Sequence, residues 1–160
     1  MGVATCAINA VYATVCQDPD TAAGGLTPGD TTTHAPHFQR HVGEAIDTLP
    51  GDGLDRKVQV VYNGTDEWHP YSNSVSSTRM RTFGITVRIG YFAGAHVDET
   101  HAIMADDDQL ISNAMALAVN WPSDCTGGCV NGIMPGASRV LELDRQRYIL
   151  EIDFTVQVTA

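Results

Sequence analysis

Hydrophobic positions recur every three to four residues in three stretches of the chain, which is the spacing of one face of a helix. The first stretch, 3–15, predicts a helix that ends before Pro19. The second stretch, 36–49, also has an apolar face and predicts another helix. The third predicts a helix that begins at the three aspartates 106–108, where negative charge suits a helix N-terminus, and that stops at Pro122.

Two other stretches alternate apolar and polar residues, which is the period of a strand with one buried face. Residues 57–62 predict a strand that is closed by a turn at Asn63 and Gly64, a pair common in hairpins. Residues 80–92 predict a longer strand, because its apolar residues occupy every second position.

The strongest strand pattern lies at the C-terminus, where every second residue from 148 to 158 is apolar. Its predicted partner is 139–143, joined to it through 144–147 as a hairpin. Strands therefore cluster without regular alternation with helices, and no internal repeat is visible. This order predicts an α+β fold, a mostly antiparallel sheet with helices packed on one face, in which residues 1–160 form a single domain.

Three segments rich in polar and turn-forming residues separate these elements. We expect a loop over 18–33, an extended arm over 63–79 and a glycine-rich loop over 122–138. Long excursions from a compact domain are usually functional or disordered. Trp68 and Tyr71 lie among the polar residues of the arm, so we interpret them as a contact surface, with packing onto the chain's own sheet as the alternative.

Acidic side chains outnumber basic ones 19 to 9, which gives a formal net charge of −10. A free-standing nucleic-acid reader needs a basic patch to displace counterions, so this composition argues against one, although not against a protein that lets DNA pass. Hydrophobic residues make up 43% and charged residues 18%, which is typical of a globular protein. The longest mostly apolar stretch, 3–16, is too short and too polar to span a bilayer and has no basic signal region, so we expect no membrane association and a cytosolic chain at synthesis.

Four cysteines occur, at positions 6, 16, 125 and 129. Cys6 and Cys16 fall in or next to the first helical pattern and are interpreted as small buried residues. Cys125 and Cys129 form a close pair in the glycine-rich loop. They are interpreted as half of a metal site, a local disulfide or two unpaired thiols, and in a cytosolic chain a metal site is favoured over a disulfide.

Histidines and acids supply the other candidate chemistry. His37 and His41 share a face of the predicted second helix at a spacing that metal ligands use, and His34 lies just before them. No glutamate stands between them, so the metalloprotease motif is absent, and capping or surface roles are the alternative. An acid and histidine cluster at 98–101 would need a substrate pocket for acid–base catalysis, and the aspartates 106–108 suit a helix cap better than a cation site. We therefore assign no catalytic residue, no metal site and no cofactor.

The sequence has no nucleophile elbow, no phosphate-binding glycine loop and no dinucleotide fingerprint, so we interpret the chain as an assembly module rather than an enzyme. Three features follow in order: an Arg-x-Phe-x-Ile-x-Val strand at 81–87, an acidic-capped helix at 106–117, and a hairpin ending in Ile-Asp-Phe-Thr-Val-Gln-Val at 152–158. In these features the chain resembles, over about residues 40–160, the tail-terminator or tail-completion proteins of long-tailed bacteriophages.

The resemblance implies a structural virion protein without catalytic residues or a cofactor. It implies a ring, commonly of six copies, that ends polymerisation of the tail tube and joins the tube to the head connector. The partners would be further copies of the chain, the tail tube protein and the connector or neck protein, in the virion and, during assembly, in the host cytoplasm. DNA would pass through the ring without specific binding. Two other classes stay open: a head-completion or stopper ring of the same neck, and a small metal-dependent or acid–base enzyme that uses His34, His37, Cys125 and Cys129.

Such a ring needs contacts between unlike surfaces of neighbouring copies. Candidates for ion pairs with a neighbour's acids are Arg139, Arg145 and Arg147, with solvated charges near the hairpin tip as the alternative. Acidic walls repel phosphate, so we expect part of the acidic surplus to line the lumen. The candidates are the loop residues Asp18, Asp20, Asp30 and Asp52.

Overall fold

The structure is a computed structural model that describes residues 2–18, 25–65, 69–70, 79–117, 121, 125 and 128–159. Its helices are α1 (Val3–Val15) and α2 (Val97–Met115), with short 3₁₀ turns at Ile46–Thr48 and Gly51–Leu54. Its strands are β1 (Gln39–Arg40), β2 (Lys57–Thr65), β3 (His69–Pro70), β4 (Arg79–Phe92), β5 (Cys129–Glu142) and β6 (Arg147–Thr159).

These strands form one sheet in the order β1-β2-β4-β6-β5, and β3 pairs with the start of β4. The β1–β2 pair is parallel, and the other pairs are antiparallel. Both helices contribute to the core on the same face of this sheet. The predicted α+β class is therefore confirmed, as are the first helix and the C-terminal hairpin of β5 and β6.

The main core lies between the helices and the central strands β4 and β6. Successive side chains of a strand point to opposite faces, so alternate residues from Phe83 to Tyr91 on β4 and from Tyr148 to Val158 on β6 fill this core. The helices add Ala7, Val11 and Val15 from α1, and Ile103, Met104 and Ile111 from α2. Each large apolar side chain buried in this way contributes about 1.5–3 kcal/mol to folding.

A second, smaller core covers part of the opposite face of the sheet. It consists of Ile46, Leu54 and Ile149. Leu54 fits there because Gly90 has no side chain: a Cβ on Gly90 would lie 2.4 Å from Cδ1 of Leu54. The segment before β2 therefore packs beneath the sheet, while the helices pack above it.

The predicted helix over 36–49 is wrong, because its apolar residues serve two different faces of the sheet. Phe38 enters the main core, Ile46 enters the second core, and Val42 is 77% exposed. Between them, β1 pairs with β2 in parallel, and the N–H of Gln39 donates to the carbonyl oxygen of Arg56. A helical spacing of apolar residues here reflects a chain that passes around the edge of the sheet.

The third helix begins earlier than the aspartates 106–108 predict. α2 starts at Val97, with Asp98 and Glu99 in its first turn, and its buried stripe already includes Thr100. The three aspartates therefore lie in the middle of the helix, where Asp107 is buried rather than capping. Within the parts of the chain that the structure describes, no helix is long and apolar enough to cross a membrane.

The predicted glycine-rich loop over 122–138 is wrong from residue 129 onward, where β5 begins. Its pairing with β6 has irregularities between Val130 and Gly132 and between Pro135 and Ser138. These bulges interrupt the alternation that identifies a strand in the sequence. Proline is tolerated because β5 is an edge strand.

The other two irregular segments are only partly described. Residues 25–33, which fall within the predicted loop over 18–33, contain no helix or strand. The turn predicted at Asn63 and Gly64 is instead a bulge, with Gly64 at φ +97°, and β2 continues to Thr65. The ends of the predicted arm over 63–79 therefore belong to the sheet, whereas 66–68 and 71–78 lie outside the described residues.

Candidate assembly surface

One outer edge of the sheet is formed by β5, which has a strand partner on only one side among the described residues. From Pro135 to Glu142 every side chain of this strand is exposed, and Met134 is 65% exposed. Val140 and Leu141 are also exposed. We call Met134 and the segment 138–142 the β5 edge. A long, partly apolar strand with unpaired backbone groups is a ready template for pairing with another chain.

The opposite outer edge is formed by β2 beyond its short partner β1. β1 covers only Lys57 and Val58, and the N–H of Val60 donates to the hydroxyl of Tyr12 at 2.8 Å. Val61 and Tyr62 follow, both exposed, with Tyr62 at 46%. We call Arg40, Lys57, Val61 and Tyr62 the β2 edge. The described part of the sheet thus presents an apolar, incompletely paired edge on each side.

The open face of the sheet carries a ladder of ion pairs. Glu151 lies between two arginines, 2.8 Å from Nε of Arg88 and 2.8 Å from Nε of Arg139. Arg139 also pairs with Asp153 at 2.8 Å, and Asp153 accepts a hydrogen bond from Thr86. The Arg139 side chain holds the pKa of Asp153 below its usual range, with the Thr86 hydroxyl adding to the effect. The arginines and carboxylates of this face therefore neutralise one another's charges.

The hairpin arginines predicted to bind a neighbour have different surroundings. Arg147 pairs with Asp144 at 2.6 Å and donates to the carbonyl oxygen of Leu49 at 2.9 Å. Arg139 is held by its carboxylates on the open face. Arg145 is exposed, and the structure gives it no ion pair with a described residue. Of the three, Arg145 is the one with its charge available to another chain.

A buried polar group joins the loop before β1 to α2. Nδ1 of His34 lies 2.7 Å from Asp55, and Nε2 of His34 lies 2.9 Å from the hydroxyl of Thr100. This order of acid, imidazole and hydroxyl resembles a nucleophile relay. However, the Thr100 hydroxyl donates to the carbonyl oxygen of His96 and is wholly buried. Asp55 is also held by the N–H groups of Ala35 and Phe92, so the cluster positions backbone rather than substrate.

Arg56 and Asp107 form the centre of a second buried group. Asp107 accepts a hydrogen bond from the Tyr91 hydroxyl at 2.6 Å, and Arg56 donates to carbonyl oxygens of Asp30 and Ala35. Burial raises the pKa of Asp107, whereas its bonds with Tyr91 and Arg56 act in the opposite direction. Burial also raises the pKa of Tyr91. This group links β2, β4, α2 and the preceding loop.

The cysteines pair differently from the sequence expectation. Cys6 and Cys125 form a disulfide, with their Cα atoms 6.2 Å apart. The local disulfide, the shared metal site and the unpaired thiol predicted for Cys125 are therefore wrong, and so is the interpretation of Cys6 as a small buried residue. The disulfide joins α1 to the segment before β5 across 119 residues, a tertiary contact that spacing does not reveal. Cys16 is buried as expected, and burial raises its pKa to about 12.

The candidate metal ligands are not brought together. His37 and His41 flank β1 and do not share a helix face, while both ring nitrogens of His34 have protein partners. In the described ranges, no group of three or more His, Cys, Asp or Glu side chains has a geometry that could hold a metal ion.

The predicted lumen acids lie in separate places. The carboxylate of Asp30 accepts the N–H groups of Thr32 and Thr33, and these bonds, the one from Thr33 first, keep its pKa low. Asp52 is exposed in the 3₁₀ turn Gly51–Leu54, and Asp18 follows α1. Outside the described residues lie Asp20, Trp68 and Tyr71.

No family model matches the chain, and no curated protein matches it. Among solved structures, it is similar to a chain of a structure described as "Virion of native gene transfer agent (GTA) particle". The alignment covers 99% of this chain and 98% of that one, with 16% identity and a TM-score of 0.44. A TM-score of this size does not establish a shared fold.

Sequence reasoning did not identify the exposed edges or the buried Arg56–Asp107 pair. The sequence does not predict a strand at the β5 edge, because Gly132, Pro135 and Gly136 are typical of loops. The sequence does not predict that Arg56 and Asp107 are buried, because arginine and aspartate are usually exposed. One signal was available: Val61 interrupts the apolar–polar alternation of β2, which indicates a strand with apolar residues on both faces.

Proposed function

We propose that this protein is a structural virion subunit that forms a ring, commonly of six copies, at the top of a phage tail tube. The ring ends tube polymerisation and joins the tube to the head connector. Its partners are further copies of the chain, the tail tube protein and a neck protein, and it needs no cofactor. The β5 edge carries this proposal, because a 14-residue strand with an exposed apolar edge suits completion by a neighbouring chain.

The distribution of acids supports passage of DNA through such a ring. α2 exposes Asp98, Glu99 and Asp106, and it has no lysine or arginine. Acidic walls repel DNA phosphates and prevent the duplex from sticking. In this proposal Asp18, Asp20 and Asp52 face the lumen, while Asp30 contributes charge and also holds its own turn.

The parts of the arm at 66–68 and 71–78 are proposed to contact the neck partner. Trp68 and Tyr71 are the aromatic residues of this segment, and aromatic side chains dominate the energetics of protein interfaces. Arg145 is the hairpin cation available for an ion pair with a neighbouring chain, because Arg139 and Arg147 have carboxylate partners within their own chain.

The test is to image particles assembled without this chain. A terminator stops growth of the tube, so its absence should give tails that are longer than normal and not joined to filled heads. Supplying the protein during assembly should restore both the normal tail length and the joining of tails to heads. Tails of normal length together with heads that leak DNA would instead assign the chain to a stopper or head-completion ring. Normal, infectious particles would contradict both neck assignments.

A further inference from the structure

We propose that the β2 edge of one copy docks on the β5 edge of the next, so that the sheet continues from subunit to subunit. This inference rests on the proposed ring and names the surfaces that build it. The two edges lie on opposite sides of one sheet, and each has exposed apolar residues: Val61 and Tyr62 on one side, Val140 and Leu141 on the other. Contact between them buries both sets at once.

The β2 edge is the basic member of the pair. Arg40 is exposed, with its guanidinium carbon 4.0 Å from the centre of the Tyr12 ring, and Lys57 donates to Oε1 of Gln39 at 2.5 Å. Neither forms an ion pair with a described residue, whereas Arg56, Arg88, Arg139 and Arg147 do. Two cations without a carboxylate partner among the described residues therefore lie on the same side of the sheet.

The β5 edge is the acidic member. Glu142 is exposed at the end of β5 and forms no ion pair with a described residue. Beside the strand, a groove of about 290 Å³ opens between β5 and α2. Asp108 and His101 line it from α2, and Ser138, Arg139 and Val140 line it from β5. The charge of Arg139 is already paired with Glu151 and Asp153. An incoming strand beside β5 would bring cations of the β2 edge to these carboxylates.

This charge arrangement selects a second copy in a head-to-tail orientation. Two β5 edges facing each other would place Glu142 and Asp108 against the same acids of the partner, which is unfavourable. The β2 edges would likewise oppose Arg40 and Lys57 to themselves. The basic edge of one copy attracts the acidic edge of the next. Such a contact between unlike surfaces produces a closed ring when the rotation from each copy to the next returns to the first copy.

Two variants test this pairing. Arg40→Glu combined with Lys57→Glu makes both edges acidic, and Glu142→Lys combined with Asp108→Lys makes both edges basic. Each variant alone should lose self-association, measured by native mass spectrometry in the presence of tail tubes and without them. An equimolar mixture should recover rings of alternating copies, because every contact then joins unlike charges. Gln109→Lys, at an exposed position of α2 outside both edges, is the control and should still assemble.

The outcomes separate this inference from the proposed function. If the wild-type protein and both double variants all form rings, the edge pairing is overturned, while the proposed ring is still supported. Loss in each variant without recovery in the mixture would also overturn it, provided that circular dichroism shows both variants folded. A wild-type protein that remains monomeric alone and on tail tubes would overturn the ring itself.

Discussion

Arg56 and Asp107 form an ion pair in which the side chains are 0% and 1% exposed, with Nε of the arginine 3.1 Å from Oδ2 of the aspartate. The pair joins the residue before β2 to the middle of α2. Arg56 also adopts a left-handed backbone conformation, with φ at 50°, and its N–H donates to the carbonyl oxygen of Gly90 at 2.6 Å. One residue thus fixes the turn into β2 and the position of the helix above it.

Replacing Arg56 with alanine should lower the free energy of unfolding by about 3–5 kcal/mol, because the carboxylate of Asp107 would remain buried without its cation. Urea denaturation measures this change. Arg145→Ala, on an exposed arginine without an ion pair to a described residue, should stay within about 0.5 kcal/mol of the wild type. Equal effects of the two substitutions would show that the buried pair does not support the fold.

Gly90→Ala should destabilise the protein by about 1–3 kcal/mol, the usual cost of an overpacked core. The new Cβ would lie 2.4 Å from Cδ1 of Leu54 and 2.5 Å from the Leu54 backbone oxygen, so the second core must shift. Gly84→Ala is the matched control on the same strand and face, where the nearest atom, Cβ of Asn63, is 3.4 Å away. Thermal unfolding of both variants compares them, and similar melting temperatures would contradict the packing of Leu54 against β4.

Removing the Cys6–Cys125 disulfide should lower stability by about 2–5 kcal/mol, because a bond that closes a long loop restricts the unfolded chain. The variant carries Cys6→Ser and Cys125→Ser, and Cys129→Ser is the comparison. Chemical denaturation gives the difference, and peptide mapping under non-reducing conditions identifies the bond. A crosslinked peptide that contains Cys129 instead of Cys6 would contradict the assigned pairing.

Acid should destabilise the open face of the sheet. Because Arg139 and Thr86 lower the pKa of Asp153 in the folded protein, the ionised form stabilises the fold. That contribution is present above the unfolded pKa of about 3.9 and is lost as the pH falls through the lower folded value. Asp153→Asn should therefore reduce the loss of stability between about pH 5 and pH 2 in urea titrations. An unchanged pH dependence would argue against this assignment.

The two tryptophans should respond in opposite ways to alanine substitution. Trp68→Ala should leave the unfolding transition unchanged and impair joining of tails to heads, as expected of a contact residue in the arm. Trp121→Ala should lower the melting temperature, because Trp121 packs against the main core and its Nε1 donates to the carbonyl oxygen of Met115 at 2.6 Å. Loss of folding in Trp68→Ala would place that residue in the core.

Periodicity was sufficient for elements whose residues serve one face throughout. Every second residue is apolar from Phe83 to Tyr91 on β4 and from Tyr148 to Val158 on β6, and α1 keeps one apolar stripe. The α+β class and the C-terminal hairpin could therefore be predicted. It failed where one segment packs on both faces of the sheet, as from Phe38 to Ile46, and where bulges interrupt β5. Both cases depend on tertiary packing.

Candidate chemistry was harder to predict than the fold. The spacing of His37 and His41 indicates metal ligands only if both residues lie on one helix, and β1 lies between them instead. Cys125 and Cys129 suggested a pair because they are neighbours in sequence, whereas the bond reaches Cys6. Exposed strand edges leave no motif at all, since they are defined by which strands lack a neighbour.

The bond between Cys6 and Cys125 has a consequence for protease digestion. A single cut anywhere between those residues, for example in the segment 25–33, yields two polypeptides that stay covalently attached. In this nicked protein α1 stays attached near the N-terminal end of β5. The protein therefore migrates as an intact species on a denaturing gel until a thiol reductant is added. Comparing gels with and without reductant after brief digestion therefore distinguishes nicking from the release of fragments.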